Sequence, residues 1–142
     1  MTELTELKER IDQVLTENRI GVLSTIKENH PYARYMTFYH EGLTLYTPTN
    51  AHAHKIEDIE ENPHVHILMG YEEHEDGNRF VEIEATAEVA TDPTDKQKVW
   101  SEKIAKKYSG PEDENFVVLI CRPTVIRYRS DEIPEAYQEL RM

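Results

Sequence analysis

The stretch Arg34-Tyr35-Met36-Thr37-Phe38-Tyr39-His40-Glu41-Gly42-Leu43-Thr44-Leu45-Tyr46-Thr47-Pro48-Thr49-Asn50-Ala51-His52-Ala53-His54-Lys55 decides how this chain is read. Two strand-like runs flank a turn at Glu41-Gly42, and a polar loop then leads into the start of a helix. The loop carries hydroxyls and an amide, and a cation stands at each end of the stretch. A strand edge, a helix N-terminus, a guanidinium and an ammonium can together hold a phosphate-bearing ligand. On these residues alone the plainer reading is a hairpin and a helix, with Arg34 and Lys55 as surface charges. The order of the surrounding elements has to decide.

Upstream, residues 2–17 read as a helix. Leu4, Leu7, Ile11, Val14 and Leu15 recur at three- and four-residue steps and line one stripe. Thr2 suits the cap, Glu3 and Glu6 suit the positive end of the helix dipole, and Asn18 is the stop. A stripe this short is expected to pack across a barrel mouth rather than to form a coiled coil. Arg19 to Lys27 reads as a first strand, Glu28-Asn29-His30-Pro31 as a turn, Tyr32 to Tyr39 as a second strand and Leu43 to Thr47 as a third. Short turns between the three predict an antiparallel meander.

Downstream, residues 51–61 read as a short helix, with Asn50 as its N-cap and Asn62-Pro63 as its end. His64 to Tyr71 is a fourth strand, and the acidic residues 72–79, with Asp76-Gly77-Asn78, form a turn or loop. Arg79 to Ala90 alternates most clearly. Val81, Ile83, Ala85, Ala87 and Val89 face one way, while Glu82, Glu84, Thr86 and Glu88 face water. Thr94-Asp95-Lys96-Gln97 reads as a capping box opening a helix with Trp100, Ile104 and Tyr108 on one stripe, ended by Gly110-Pro111. Phe116 to Ile120 and, past Pro123, Val125 to Arg129 are further strands; Glu132 to Leu140 reads as a short helix. Six or seven short strands with inserted helices exclude a doubly wound sheet. They predict a mainly β fold, a β-barrel with peripheral helices, as one domain spanning residues 1–142.

The 142 residues are enough for one core without disulfides. A net charge of −12 repels nucleic-acid phosphates, so no nucleic-acid partner is expected. A local cationic pocket still admits a small phosphorylated ligand, because charge is screened over ~8–10 Å. Cys121 is the only cysteine, which fits a reducing cytoplasm and a packing role. No apolar run approaches the ~20 residues of a membrane helix, and no signal peptide is recognisable.

In the blocks Arg34-Tyr35-Met36-Thr37, Gly42-Leu43-Thr44-Leu45-Tyr46-Thr47 and His54-Lys55-Ile56 with Asn62-Pro63, followed by the Trp100 helix and Gly110-Pro111, the chain resembles a known family. It is similar to the pyridoxamine 5′-phosphate oxidase-like FMN-binding split barrels, and most to their general stress protein 26 branch, from about Val22 to Tyr128. The resemblance implies an antiparallel split barrel that binds FMN at the interface of a homodimer. It implies Arg34 and Lys55 on the FMN phosphate, and the backbone of Tyr35, Met36 and Thr37 on the flavin's pyrimidine edge. Tyr46 and Thr47 would line the phosphate and ribityl side. Three departures stand out. The loop from Thr47 to Lys55 is two residues longer than in the oxidase, so Thr49 and Asn50 are expected to supply contacts there. His54 replaces a second arginine and is expected beside Lys55 as a phosphate or ribityl neighbour, and Phe80 stands near the place of a flavin-contacting glutamine. The oxidase's substrate-binding Arg and His have no match beyond Arg127-Tyr128-Arg129, so pyridoxamine phosphate oxidation is not expected.

Among the histidines, His64 and His66 share a strand face and His52 and His54 share the loop, but no carboxylate or cysteine is placed beside them by sequence, and no metal is expected. Trp100 is expected in packing, and the glutamates of the alternating strand on a solvated face. No nucleophile–base pair is present, so any chemistry would be the flavin's. The leading expectation is a small cytoplasmic, stress-associated flavin oxidoreductase. A flavin store without turnover, and a haem or deazaflavin binder, are the alternatives.

Overall fold

The computed structural model describes residues 2–71, 78–131 and 136–142. Helix α1 (Glu3–Glu17) is followed by strands β1 (Ile20–Lys27), β2 (His30–Thr37), β3 (Tyr39–Glu41) and β4 (Thr44–Asn50), then by helix α2 (His54–Glu61). Strands β5 (His64–Gly70) and β6 (Arg79–Ala90) precede helices α3 (Pro93–Lys98) and α4 (Glu102–Ala105). Strands β7 (Phe116–Ser130) and β8 (Gln138–Arg141) complete an eight-stranded sheet, ordered β2-β1-β5-β6-β7-β4-β3 with β8 on β7. Every pairing is antiparallel.

That order forces a barrel. Strands β2 and β3 stand at opposite ends of the sheet, yet only Phe38 separates them in the chain. The sheet must therefore curl until its ends meet. The expected meander of the first three strands is corrected here, because β4 pairs with β3 and β7 and leaves β2 unpaired along one edge. The two ends touch through the Thr47 hydroxyl, which donates to the Thr37 carbonyl at 2.7 Å. Phe38 makes the break possible. Its N–H donates to Arg19 O at 2.7 Å, and its ring fills the space that Gly21 leaves open. A Cβ on Gly21 would lie 2.6 Å from Met69 Cγ and 3.0 Å from the Phe38 ring. Gly21→Val should therefore destabilise by about 1–3 kcal/mol through overpacking; the measurement is thermal unfolding, and an unchanged midpoint would refute this role for Gly21.

The hairpin between β1 and β2 is tighter than expected. Only Glu28 and Asn29 form its turn, both at positive φ (50° and 65°), the two-residue form whose twist matches the strands. Pro31 sits inside β2, where its missing N–H points to the unpaired edge. Strand β6 alternates as read from its sequence, with Val81, Ile83, Ala85 and Ala87 buried. The two strands expected on either side of Pro123 are one continuous strand, because a bulge at Glu84/Ala85 absorbs the proline.

The interior is filled by Leu23, Leu45, Ile67, Met69, Val81, Ile83, Leu119 and Ile126. Leu7, Ile11, Val14 and Leu15 of α1 and Ile56 and Ile59 of α2 also pack into it. A second cluster lies outside the sheet, where Tyr46, Phe116, Val118 and Ile120 are covered by Val99, Trp100, Ile104 and Tyr108. The single Trp100 helix expected there is two short helices. Asp92, not Thr94, caps the first through Thr94 N–H, and the Ser101 hydroxyl accepts from Ile104 N–H and starts the second. The expected C-terminal helix is corrected where the structure describes it. Residues 138–141 pair with β7 and bury Leu140, while residues 132–135 lie outside the described residues, as does most of the expected 72–79 loop. Among the described residues no helix is long and apolar enough to cross a membrane.

Candidate functional site

Strand parity puts Arg34 opposite Leu23 and turns its side chain toward the barrel interior. Its guanidinium donates to the buried Thr25 hydroxyl at 2.7 Å and, at 3.5 Å, to the Leu23 carbonyl. Lys55, the second residue of α2, donates to the Thr49 hydroxyl at 2.9 Å. Both cations are partly withdrawn from water. Burial lowers the Arg34 pKa, opposed by the Asp58 charge, and burial followed by the Arg34 charge lowers that of Lys55. Among the described residues no carboxylate forms an ion pair with either one. Other arginines contrast with this: Arg122 pairs with Glu88, Arg127 with Glu84 and Glu139, and Arg129 with Glu82. Arg34 and Lys55 therefore form a positive pocket whose hydrogen-bond partners among the described residues are all neutral.

The unpaired edge of β2 borders this pocket. Phe38 N–H points to β1, and the antiparallel alternation then turns the Met36 and Arg34 amides to β1 as well. Tyr35 and Thr37 present their backbone groups to the split instead. Thr37 O is taken by Thr47, whose side chain is fully buried. Free donors and acceptors in a line beside two cations can hold a planar heterocycle that carries a phosphate tail. The helix end adds to this. Ala53 caps α2 with no side-chain bond, so the first amides of the helix keep their donor capacity.

The structure thus gathers Arg34, Lys55, Thr49, Thr47 and the Tyr35–Thr37 edge, with Met36 packed inward against the core. Tyr46 turns away from the pocket, whereas Asn50 and His54 adjoin Thr49 and Lys55 in the chain. Tyr46 lies on the opposite face of β4, under Lys98 Nζ at 3.3 Å from its hydroxyl and 4.9 Å from its ring centre. Asn50 does not cap α2; its side chain accepts from His52 N–H at 2.8 Å. His54 is exposed at the first residue of the helix. Two residues were missed by sequence reading. Thr25, which holds Arg34, hides in an apolar strand. Asp58 is 5% exposed and follows Lys55 by three residues, which is one helical turn.

Outside the pocket, His64 and His66 lie on the outer face of β5, and among the described residues no three His, Cys, Asp or Glu side chains converge. The Cys121 thiol is buried in the barrel and pushed up to about 12 by desolvation, which makes it a poor nucleophile. One end of the outer face of β2, β1 and β5 is apolar and, among the described residues, uncovered. Tyr35 is 79% exposed, Tyr71 62% and Ile20 55%, around a groove of about 410 Å³ that Leu68 and Phe80 also line.

A family profile described as pyridoxamine 5′-phosphate oxidase matches residues 7–130. General stress protein 26 of Bacillus subtilis (strain 168) is 41% identical over 122 residues, covering 86% of this chain and 87% of that protein. The crystal structure of general stress protein 26 from Bacillus anthracis superposes with a TM-score of 0.83 at 34% identity, covering 96% of this chain and 99% of that one. A FAD-binding protein of Mesorhizobium loti superposes at 0.69 with 20% identity, over 92% and 93% of the two chains, a likeness of fold alone. The chain belongs to the pyridoxamine 5′-phosphate oxidase-like split-barrel family and is a relative of general stress protein 26.

Proposed function

We propose that this protein binds FMN between the two subunits of a cytoplasmic homodimer and acts as a small flavin-dependent oxidoreductase. One observation carries the reading: Arg34 and Lys55, both partly buried, meet beside an open strand edge and, among the described residues, hydrogen-bond only to neutral groups. In this reading Arg34 grips the phosphate, Lys55 adds a point charge, and Thr49 and the first amides of α2 complete the cradle. The Tyr35 and Thr37 backbone groups hold the ring's polar edge, and Met36 lies behind it. Bound FMN supplies hydride acceptance; the chain supplies position and charge. The open apolar face around Tyr35 and Tyr71 supports the homodimer, since exposed apolar patches of this kind mark association sites. The test is gel filtration after loading with FMN. Flavin should travel with a species of twice the chain mass, and should be lost from a variant carrying both Arg34→Ala and Lys55→Ala. Flavin retained by that variant would refute the phosphate site.

One set of observations favours a second reading, a flavin store without turnover. Arg127 and Arg129 are tied up by glutamates, and Cys121 is buried. Steady NAD(P)H-dependent reduction of the bound flavin would exclude the store.

A further inference from the structure

We propose that Asp58 determines how tightly the Arg34–Lys55 site holds a phosphate monoester, by keeping the pocket one positive charge short of what a dianion needs. This rests on the flavin reading above and specifies that same site.

Asp58 is 5% exposed, a rare condition for a carboxylate that has no ion-pair partner among the described residues. It stands one helical turn after Lys55, on the side of α2 that carries Ile59 into the barrel. Neither Arg34 nor Lys55 reaches it: the guanidinium is spent on Thr25 and the ammonium on Thr49. A carboxylate placed to build the pocket would clamp the guanidinium, as Glu84 clamps Arg127 at 2.7 Å. Asp58 instead acts on Arg34 through its charge, which opposes the effect of burial there. Two cations and one carboxylate leave one net positive charge, against the ≈ −1.5 to −2 of a phosphate monoester at neutral pH. In a partly dry site the unmatched charge raises the free energy of the bound ester. The ligand is consequently held so that it can leave, which is the behaviour of an exchangeable flavin rather than a permanent prosthetic group.

The test titrates FMN, riboflavin and inorganic phosphate into wild type, Asp58→Asn and Asp58→Glu, each checked for native circular dichroism. Asp58→Asn should tighten FMN by about ten-fold, because it removes a charge of the same sign as the phosphate. It should slow FMN release by a similar factor, and inorganic phosphate should follow the same trend. Riboflavin, which has no phosphate, should bind alike in all three proteins, and Asp58→Glu should bind FMN as wild type does. If the amide is not accommodated, Asp58→Ser removes the same charge with less bulk. Weaker or unchanged FMN binding in the neutral variants would overturn the proposal and make Asp58 a support for Arg34. Absence of FMN binding in every protein, with phosphate binding still strengthened in Asp58→Asn, would overturn the flavin reading and leave the role of Asp58 standing.

Discussion

Replacing Arg34 and Lys55 together by alanine is expected to raise the FMN dissociation constant by two to four orders of magnitude. Each removes a charge-assisted hydrogen bond worth about 1.5–3 kcal/mol, and each factor of ten costs about 1.4 kcal/mol. Isothermal titration of wild type and variant gives the ratio. The same substitutions should leave the unliganded fold intact, because the lost partners are Thr25, Leu23 O and Thr49 rather than buried carboxylates. Lys55→Met goes further and should raise the melting temperature of the free protein at neutral pH. The sign follows from its environment. Burial and the Arg34 charge lower the Lys55 pKa on folding, so its protonated form is disfavoured in the folded state. That penalty is complete below the folded value and fades as pH climbs toward the ordinary lysine range, so the advantage of methionine should shrink there. A lysine conserving this penalty at every pH, or a Met variant that melts lower, would contradict the account of the pocket.

Phe38→Ala is expected to have the largest effect on stability. Phe38 is 3% exposed and is the one residue joining the two ends of the sheet. Its ring closes the gap over Gly21 and Met69. Truncation should cost about 3–5 kcal/mol through lost burial and the cavity left behind. For a chain of this size each kcal/mol moves the midpoint by about 2–4 °C or somewhat more, so a drop of roughly 10–15 °C is expected in thermal unfolding. Function should suffer in proportion beyond stability. The Thr37–Thr47 bond spans the split beside Phe38 and fixes the edge on which Tyr35 and Thr37 offer their amides. FMN binding measured well below the melting point should therefore weaken as well. A variant that melts near wild type would mean that the split is held by something other than this ring.

Much of this was legible along the chain. Apolar stripes and alternation placed α1, β1, β5 and β6, because local periodicity and burial agree there. Arg34 and Lys55 stood out only through the family resemblance, because the local residues alone read them as surface charges. Long-range facts were not legible. That β2 and β4 part company depends on Phe38 meeting Gly21 across the sheet, which no window of sequence contains. Thr25 and Asp58 take their meaning from Arg34, which lies on another element. Other features of the fold had a local signal. Strand alternation alone puts Tyr46 and Thr47 on opposite faces, and β4 obeys it: Thr47 turns to the split and Tyr46 to Lys98. Ser101 announces a new helix start, three residues before Ile104, inside what periodicity reads as one helix. At the C-terminus, Gln138 to Arg141 has a free edge of β7 to pair with, and that tertiary opportunity overrides a helical propensity.

The central claim is that Arg34 and Lys55 form a phosphate site beside an edge that receives a flavin. The measurement that tests it most directly is the quenching of flavin fluorescence when wild-type protein is titrated with FMN and, separately, with riboflavin. The account predicts saturable quenching by FMN at one equivalent per chain, with riboflavin bound at least about 100-fold more weakly, because it lacks the charge-assisted contacts of the phosphate. Equal affinity for the two flavins, or no quenching by FMN at tens of micromolar protein, would contradict it.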